Sequence, residues 1–251
     1  MPNASADSRA LPDSRRKLDQ HINPMKPVYL SWSGGKDATL ALDKLMQSSE
    51  YEVRGLLTTV NEHFQRVSMH GLRIEIVEQQ ADALGLPIEM IRLPKEVDYE
   101  IYEQHVKSSM TTLRESGIHG LAYGDIFLED LKQYREKMLT ECGLEGIYPM
   151  WQLDTGKLAE EFIRKGYRSI VISVNGTKLN SSFAGRNYDA SFLNDLPSGT
   201  DPCGENGEFH SFVTDGPVFK YPVSVQTGSI EERHYGGDRE NRAYFCDLLP
   251  A

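Results

Sequence analysis

No run of apolar residues in the 251-residue chain approaches the length of about 18 that a membrane-spanning helix requires. Cysteine is scarce. Cys142, Cys203 and Cys246 form an odd set at long spacings, which offers neither a disulfide framework nor a zinc pattern. A reducing, cytoplasmic setting is the simplest reading, with each thiol a small packing residue rather than a nucleophile. Positive charge is also short: 27 Lys and Arg stand against 37 Asp and Glu, a net charge of −10, and no basic run exceeds Arg15-Arg16-Lys17. That balance argues against a nucleic-acid partner. Residues 1–24 lack the apolar core of a secretion signal, and Asp7, Asp13 and Asp19 argue against a transit peptide. They are expected to form a disordered tail, and Met25 competes with Met1 as the natural start. The remaining composition, 39% hydrophobic and 25% charged, is that of an ordinary globular protein.

From Val28 onward, two kinds of apolar pattern alternate. Val28–Leu30 and Val53–Val60 read as strands, with a helical pattern at Leu40, Leu42, Leu45 and Met46 between them. Leu72–Leu84 reads as a helix stopped by Gly85, Ile88–Ile91 as a short strand, and Tyr99–Ser116 as a helix with Tyr102, Val106, Met110 and Leu113 on one face. Ile118–Tyr123 is the next strand and Phe127–Glu141 the next helix. Such alternation over short connections implies a Rossmann-like α/β fold, a parallel sheet covered by helices, with ligands bound beyond the carboxyl ends of its strands. Past Gly143 the texture changes. A helix over Thr155–Lys165 starts behind Asp154 and stops at Gly166, and the strand Ser169–Val174 follows. Phe209–Val213, Val218–Val225 and Ala243–Leu248 are candidate antiparallel strands. The expected division is a first domain over 25–143 and a smaller α+β domain over 144–251.

The densest signal is residues 31–39, Ser-Trp-Ser-Gly-Gly-Lys-Asp-Ala-Thr, a glycine turn between a strand and a helix. The arrangement aims backbone N–H groups and the positive end of a helix at one point, which suits a phosphate. Gly34 and Gly35 let the backbone approach an anion, Lys36 adds a mobile positive charge, and Ser31, Ser33 and Thr39 join them as candidate phosphate contacts. The pattern is not G-x-x-x-x-G-K-[ST], because Leu30 stands five positions before Gly35 and Asp37 follows the lysine. No G-x-G-x-x-G is present either. Asp37 has two readings: a carboxylate ligand to Mg²⁺ bridging phosphates, or a helix-start residue favoured by the dipole. Gly124-Asp125, at the end of a later strand, reads either as a turn or as a second contact to the same nucleotide or metal.

A third constellation is Asp201-Pro-Cys-Gly-Glu-Asn-Gly-Glu-Phe-His-Ser-Phe, where Glu205, Glu208 and His210 crowd together. If 208–212 is a strand, Glu208 and His210 share a face and could bind an amine or act as a base; the plain alternative is a polar hairpin. Tyr148-Pro-Met-Trp151 reads as core packing or as a lid over adenine or substrate, and Arg186 as a surface arginine in a loop.

Ser33-Gly-Gly-Lys-Asp37 resembles the pyrophosphate loop of the N-type ATP pyrophosphatases. Together with Met69-His-Gly71, Gly124-Asp125-Ile126, Pro149-Met-Trp151 with Asp154, and Gly204-Glu-Asn-Gly-Glu-Phe-His-Ser-Phe-Val-Thr-Asp-Gly-Pro217, it resembles the diphthine–ammonia ligase family. The resemblance implies an adenine nucleotide α-hydrolase-like ATP-binding domain over 25–143 and a substrate-binding domain over 144–251. It implies that ATP adenylates a carboxylate and that ammonia displaces AMP to leave an amide, with the pyrophosphate departing first. It further implies ATP and Mg²⁺ as cofactors and a small-molecule or protein-borne carboxylate as substrate. Lys36, Glu205, Glu208 and His210 become the catalytic candidates, and Trp151, Glu205 and Glu208 the substrate contacts; assembly into a homo-oligomer stays open. The other readings are a related enzyme that modifies another small molecule or an RNA base, and an ATP-binding module without turnover. Two departures mark a divergent branch, in which a bacterial member would keep the chemistry and change its target. Ala38 stands where the family loop usually carries serine, and Asn206 where E-G-G-E has its first glycine, on the expectation that Asn tolerates a positive φ there.

Overall fold

A computed structural model describes residues 24–68, 71–234 and 241–251. Met69 and His70 of the family motif, and the expected tail apart from Pro24, lie outside the described residues.

Strand β1 (Lys26–Ser31) shows how the first sheet is built: Val28 and Leu30 enter one core and Tyr29 the other, the alternation of a strand buried on both faces. Helix α1 (Lys36–Met46) leads to β2 (Tyr51–Asn61), and the short β3 (Arg66–Val67) adds antiparallel to the far end of β2. Helix α2 (Ile74–Leu84) ends at Gly85, whose φ of 71° is the left-handed stop expected there. Then come β4 (Ile88–Leu93), α3 (Tyr99–Glu115), β5 (Gly120–Ala122), α4 (Glu129–Glu141) and β6 (Glu145–Ile147). Asp98 caps α3 by accepting from Ile101 N at 2.8 Å.

Strands β4, β2, β1, β5 and β6 lie side by side and parallel. The chain therefore winds outward from β1 through β2 to β4, returns, and continues through β5 to β6. This is a Rossmann-like, doubly wound α/β sheet whose direction reverses between β1 and β5. Its last strand, β6, was not read from the sequence and lies just past residue 143. Three residues with one buried side chain leave too little periodicity to detect.

The second sheet is antiparallel, in the order β8 (Phe209–Asp215), β7 (Arg168–Asn175), β10 (Arg242–Pro250), β9 (Val225–His234). Helix α5 (Thr155–Arg164), capped by Asp154 accepting from Lys157 N at 2.8 Å, and the short α6 (Ala190–Asp195) complete this part. The strand expected over Val218–Val225 is corrected: residues 216–224 run as irregular chain with a turn at 217–218, and β9 begins only at Val225. Pro217 and Pro222 supply no ladder N–H. The segment hangs instead on Lys220 N donating to Ala83 O at 2.7 Å and Val223 N to Thr214 O at 2.8 Å.

Two cores result. One, under α3 and α4, gathers Leu57, Met110, Leu121 and Tyr123. The other is shared by both sheets: Leu30, Trp32 and Leu42 belong to the same buried cluster as Phe162, Phe192 and Phe212. Among the described residues, no helix is long and apolar enough to cross a membrane.

Candidate active site

The glycine loop leans on the second sheet. Gly34 O accepts from Val213 N of β8 at 2.9 Å and from Gln80 Nε2 of α2 at 3.1 Å. Lys36 N donates to Ser211 Oγ at 3.2 Å, and Gly35 N to Ser33 Oγ at 3.3 Å. Thr39 is fully buried, and its hydroxyl donates back to Gly35 O at 2.9 Å, bracing the loop backbone. A Cβ on Gly34 would lie 3.0 Å from Gln80 Oε1, and one on Gly35 3.0 Å from Ser211 O; Gly34 also holds a φ of 79°. The left-handed φ favours glycine at 34, and the close fit against α2 and β8 leaves little room for a side chain at either position, a reason beyond the phosphate approach inferred from sequence. Gln80, which sequence reasoning missed, is fully buried; it also donates to Val213 O at 2.6 Å and accepts from Trp32 Nε1 at 2.8 Å. A lone glutamine on a helix face carries no sequence signal for such a role.

Lys36 turns inward from the first turn of α1. Its side chain is 3% exposed and pairs with Asp37 at 2.8 Å. It also donates to Cys203 O, and its ammonium lies 5.2 Å from the Phe209 ring centre and 5.7 Å from that of Tyr188. Burial alone would lower its pKa, but the Asp37 carboxylate, with Cys203 and Glu205, raises it, so Lys36 stays charged. The Asp37 carboxyl is pushed up by burial and by Asp201 and Asp125, against the opposing pull of Lys36. Lys36 therefore ties the glycine loop physically to the 201–208 loop, two segments that the sequence shows only as separate motifs.

Gly124-Asp125 meets the glycine loop at the point where the sheet reverses. A Cβ on Gly124 would lie 2.8 Å from Asp37 C and 2.9 Å from Ala38 N, so the strand end abuts the first turn of α1. Asp125 pairs with Arg135 of α4, whose guanidinium lies 4.3 Å from the Tyr123 ring centre. Beside them a cavity of about 220 Å³ covers the carboxyl ends of the parallel strands; Ser31, Ser33, Thr58, Thr59, Ile91 and Tyr102 are among its walls. Trp151 is half-buried, edge-on to Tyr148 at 5.9 Å, with Lys132 at 5.1 Å from its ring.

The three acid–base candidates occupy three surroundings. Glu205 accepts from Ile126 N at 2.8 Å and Phe127 N at 3.4 Å, next to Gly124-Asp125. Burial, reinforced by Asp37 and Asp125, pushes its carboxyl up to about 7, despite the opposing backbone bond from Ile126. Glu208 is 2% exposed; its Oε1 lies 3.5 Å from both Lys178 Nζ and Asp201 N. Among the described residues its Oε2 has no hydrogen-bond partner. His210, half-buried, lines a second and larger cavity. Asp201, which opens the motif but carries no role in the sequence reading, shapes the loop by accepting from Cys203 N at 2.9 Å and Glu205 N at 3.1 Å. The positive φ falls on Gly204 and Gly207, at 69° and 76°, and not on Asn206, so the departure from E-G-G-E needs no strained asparagine. Arg186 pairs with Asp195 at 2.7 Å in its own part of the second unit. Among the described residues, no three Asp, Glu, His or Cys side chains gather as a metal cluster.

Residues 25–146 match the diphthamide synthase N-terminal domain and residues 154–241 the diphthamide synthase C-terminal domain. The chain is similar to diphthine–ammonia ligases from Bos taurus (28% identity over 119 residues, 45% of this chain and 44% of that protein) and Danio rerio (25% over 173 residues, 60% and 65%). It is also similar to the one from Schizosaccharomyces pombe (27% over 105 residues, 40% of this chain and 17% of that protein). The matches span less than two thirds of each relative's length. Both domain models match in order and together cover most of the chain: the chain belongs to the diphthamide synthase family.

Proposed function

We propose that the protein is an ATP-dependent, AMP-forming ligase that adenylates a carboxylate and transfers it to ammonia. The observation that carries this reading is the convergence of the glycine loop, Gly124-Asp125 and Glu205 on the reversal point of the parallel sheet, the place where such sheets bind ligands. In this reading the loop from Ser33 to Lys36 and the amino end of α1 hold the β- and γ-phosphates, with phosphate oxygens taking the place of Ser33 Oγ and Ser211 Oγ on the Gly35 and Lys36 N–H groups, where the helix dipole favours anions. The cavity beside Thr58, Ile91 and Tyr102 takes the adenosine. An oxygen of the substrate carboxylate attacks the α-phosphorus and pyrophosphate leaves with the P–O bonding pair. The lone pair of ammonia then attacks the acyl carbon, the acyl–oxygen bond breaks, and AMP departs.

Glu205, with its carboxyl near neutrality, suits removal of the proton that ammonia sheds on attack. Lys36 fixes the two loops against each other. Asp37 is the carboxylate that would hold Mg²⁺, an ion that binds nucleotides through one or two carboxylates plus phosphate oxygens, through oxygens that now accept from the Lys36 ammonium at 3.0 and 2.8 Å. When bound, that ion would neutralise phosphate charge. The name shared by the relatives supports ammonia as the nucleophile.

The test is product analysis with ATP, Mg²⁺, ammonium and a panel of carboxylic acids. AMP and pyrophosphate in equal amounts, dependent on an acid, are expected. ADP and phosphate would refute the reading, and tight ATP binding without any turnover would replace it with a nucleotide-sensing module.

A further inference from the structure

A cavity of about 990 Å³ lies between the far end of β2–β3 and the second sheet. Val67, Ser68 and Tyr102 line both it and the smaller cavity beside the glycine loop, so the two adjoin. His210 and Gly207 bring the 201–210 loop to its edge. Its wall carries Arg66, Lys95, Arg233 and Arg242, and among the described residues no Asp or Glu. In a chain of net charge −10 this is a local reversal of sign.

Nearby carboxylates do not cancel it. Arg66 and Arg73 share the single Asp247, at 2.9 and 2.7 Å. Arg233 meets Glu231 at 3.0 Å, but both side chains are widely exposed (43% and 56%), and such pairs attract weakly in water. The Arg233 guanidinium also lies 4.8 Å from the Phe245 ring centre, a contact that restricts it; only Nη2 is engaged by Glu231, and a bound anion would compete for that exposed contact. Exposed Phe64 adds an apolar wall.

We infer that the acid this protein activates carries at least two anionic groups: a carboxylate presented to ATP and a second carboxylate or phosphate held in the cleft by Arg233 and Arg242. Guanidinium groups recognise both anions through paired N–H donors. A cationic acid would set like charge against them. The inference rests on the ligase reading for the reaction, although not for the binding.

The experiment is titration calorimetry with Mg²⁺ and a non-hydrolysable ATP analogue filling the glycine loop. The probes are glutarate, citrate and 3-phosphoglycerate, set against acetate and glycine betaine. At least one multivalent anion is expected to bind about tenfold more tightly than acetate or betaine. The Arg233→Ala/Arg242→Ala double variant is expected to lose that preference about tenfold while binding the ATP analogue within about twofold of wild type, which shows that it folds. Betaine binding as tightly as the anions, or anion binding indifferent to the double variant, overturns the inference. Pyrophosphate release is read in parallel. Anion binding without AMP formation from any acid would defeat the ligase reading and keep the cleft assignment; AMP formed selectively with betaine would do the reverse.

Discussion

Glu205 is a carboxylate at odds with its surroundings, and that has a measurable cost. Burial, with Asp37 and Asp125 nearby, raises its carboxyl to about 7 from an ordinary 4.5. A carboxyl raised on folding holds its proton more tightly in the native state. Its stabilising contribution is therefore complete below about 4.5 and is lost as pH rises through about 7. Glu205→Gln keeps an oxygen to accept from Ile126 N and removes the titration. Its melting temperature should fall less than wild type between pH 5 and 8; superimposable profiles would show that Glu205 titrates normally. Gln80 illustrates the opposite case, a buried amide with every group engaged, and leaving its buried partners unpaired would cost about 1–3 kcal/mol each.

At the scale of elements, the site depends on how closely β5 ends against α1. Gly124→Ala would drive a methyl group to 2.8 Å from the backbone of Asp37, which has no flexible end to yield. The expected result is a displaced first turn of α1 and an ATP dissociation constant raised about tenfold or more, with a smaller loss of thermal stability. Unchanged nucleotide binding by calorimetry would mean that this turn does not hold the phosphates. Most of these elements were legible beforehand. The stops at Gly85 and Gly166 and the cap at Asp154 act within a few residues of the helix they bound, so the local spacing reveals them. Strand β6 is too short to read, and Val218–Val225 reads as a strand because its apolar residues suggest a ladder that Pro222 interrupts.

Across the whole molecule, one buried cluster runs from Leu30 and Trp32 through α1 and α2 to Phe162, Phe192 and Phe212. The glycine loop sits on that junction, held by Val213 and Ser211 of β8. The two sheets share this buried cluster, so heating should unfold the chain as one cooperative unit. Differential scanning calorimetry should give a single transition whose van't Hoff and calorimetric enthalpies agree. Two resolved transitions would mean that the shared core contributes little.

Hydrophobic period, turn glycines and helix caps established the doubly wound α/β unit and located each candidate segment, because such signals are written within about one helical turn. The same residues said nothing of the partners they would meet. That Lys36 points away from its own loop to Cys203, that Gly34 rests on Val213, and that Glu205 reaches Ile126 follow from packing alone. Lys36 and Ser211 touch across 175 positions of chain, and contacts at such range leave no periodic trace. The division of Glu205, Glu208 and His210 among separate surroundings has the same cause: backbone turns at Gly204 and Gly207 aim the side chains, and the fold supplies what each one faces.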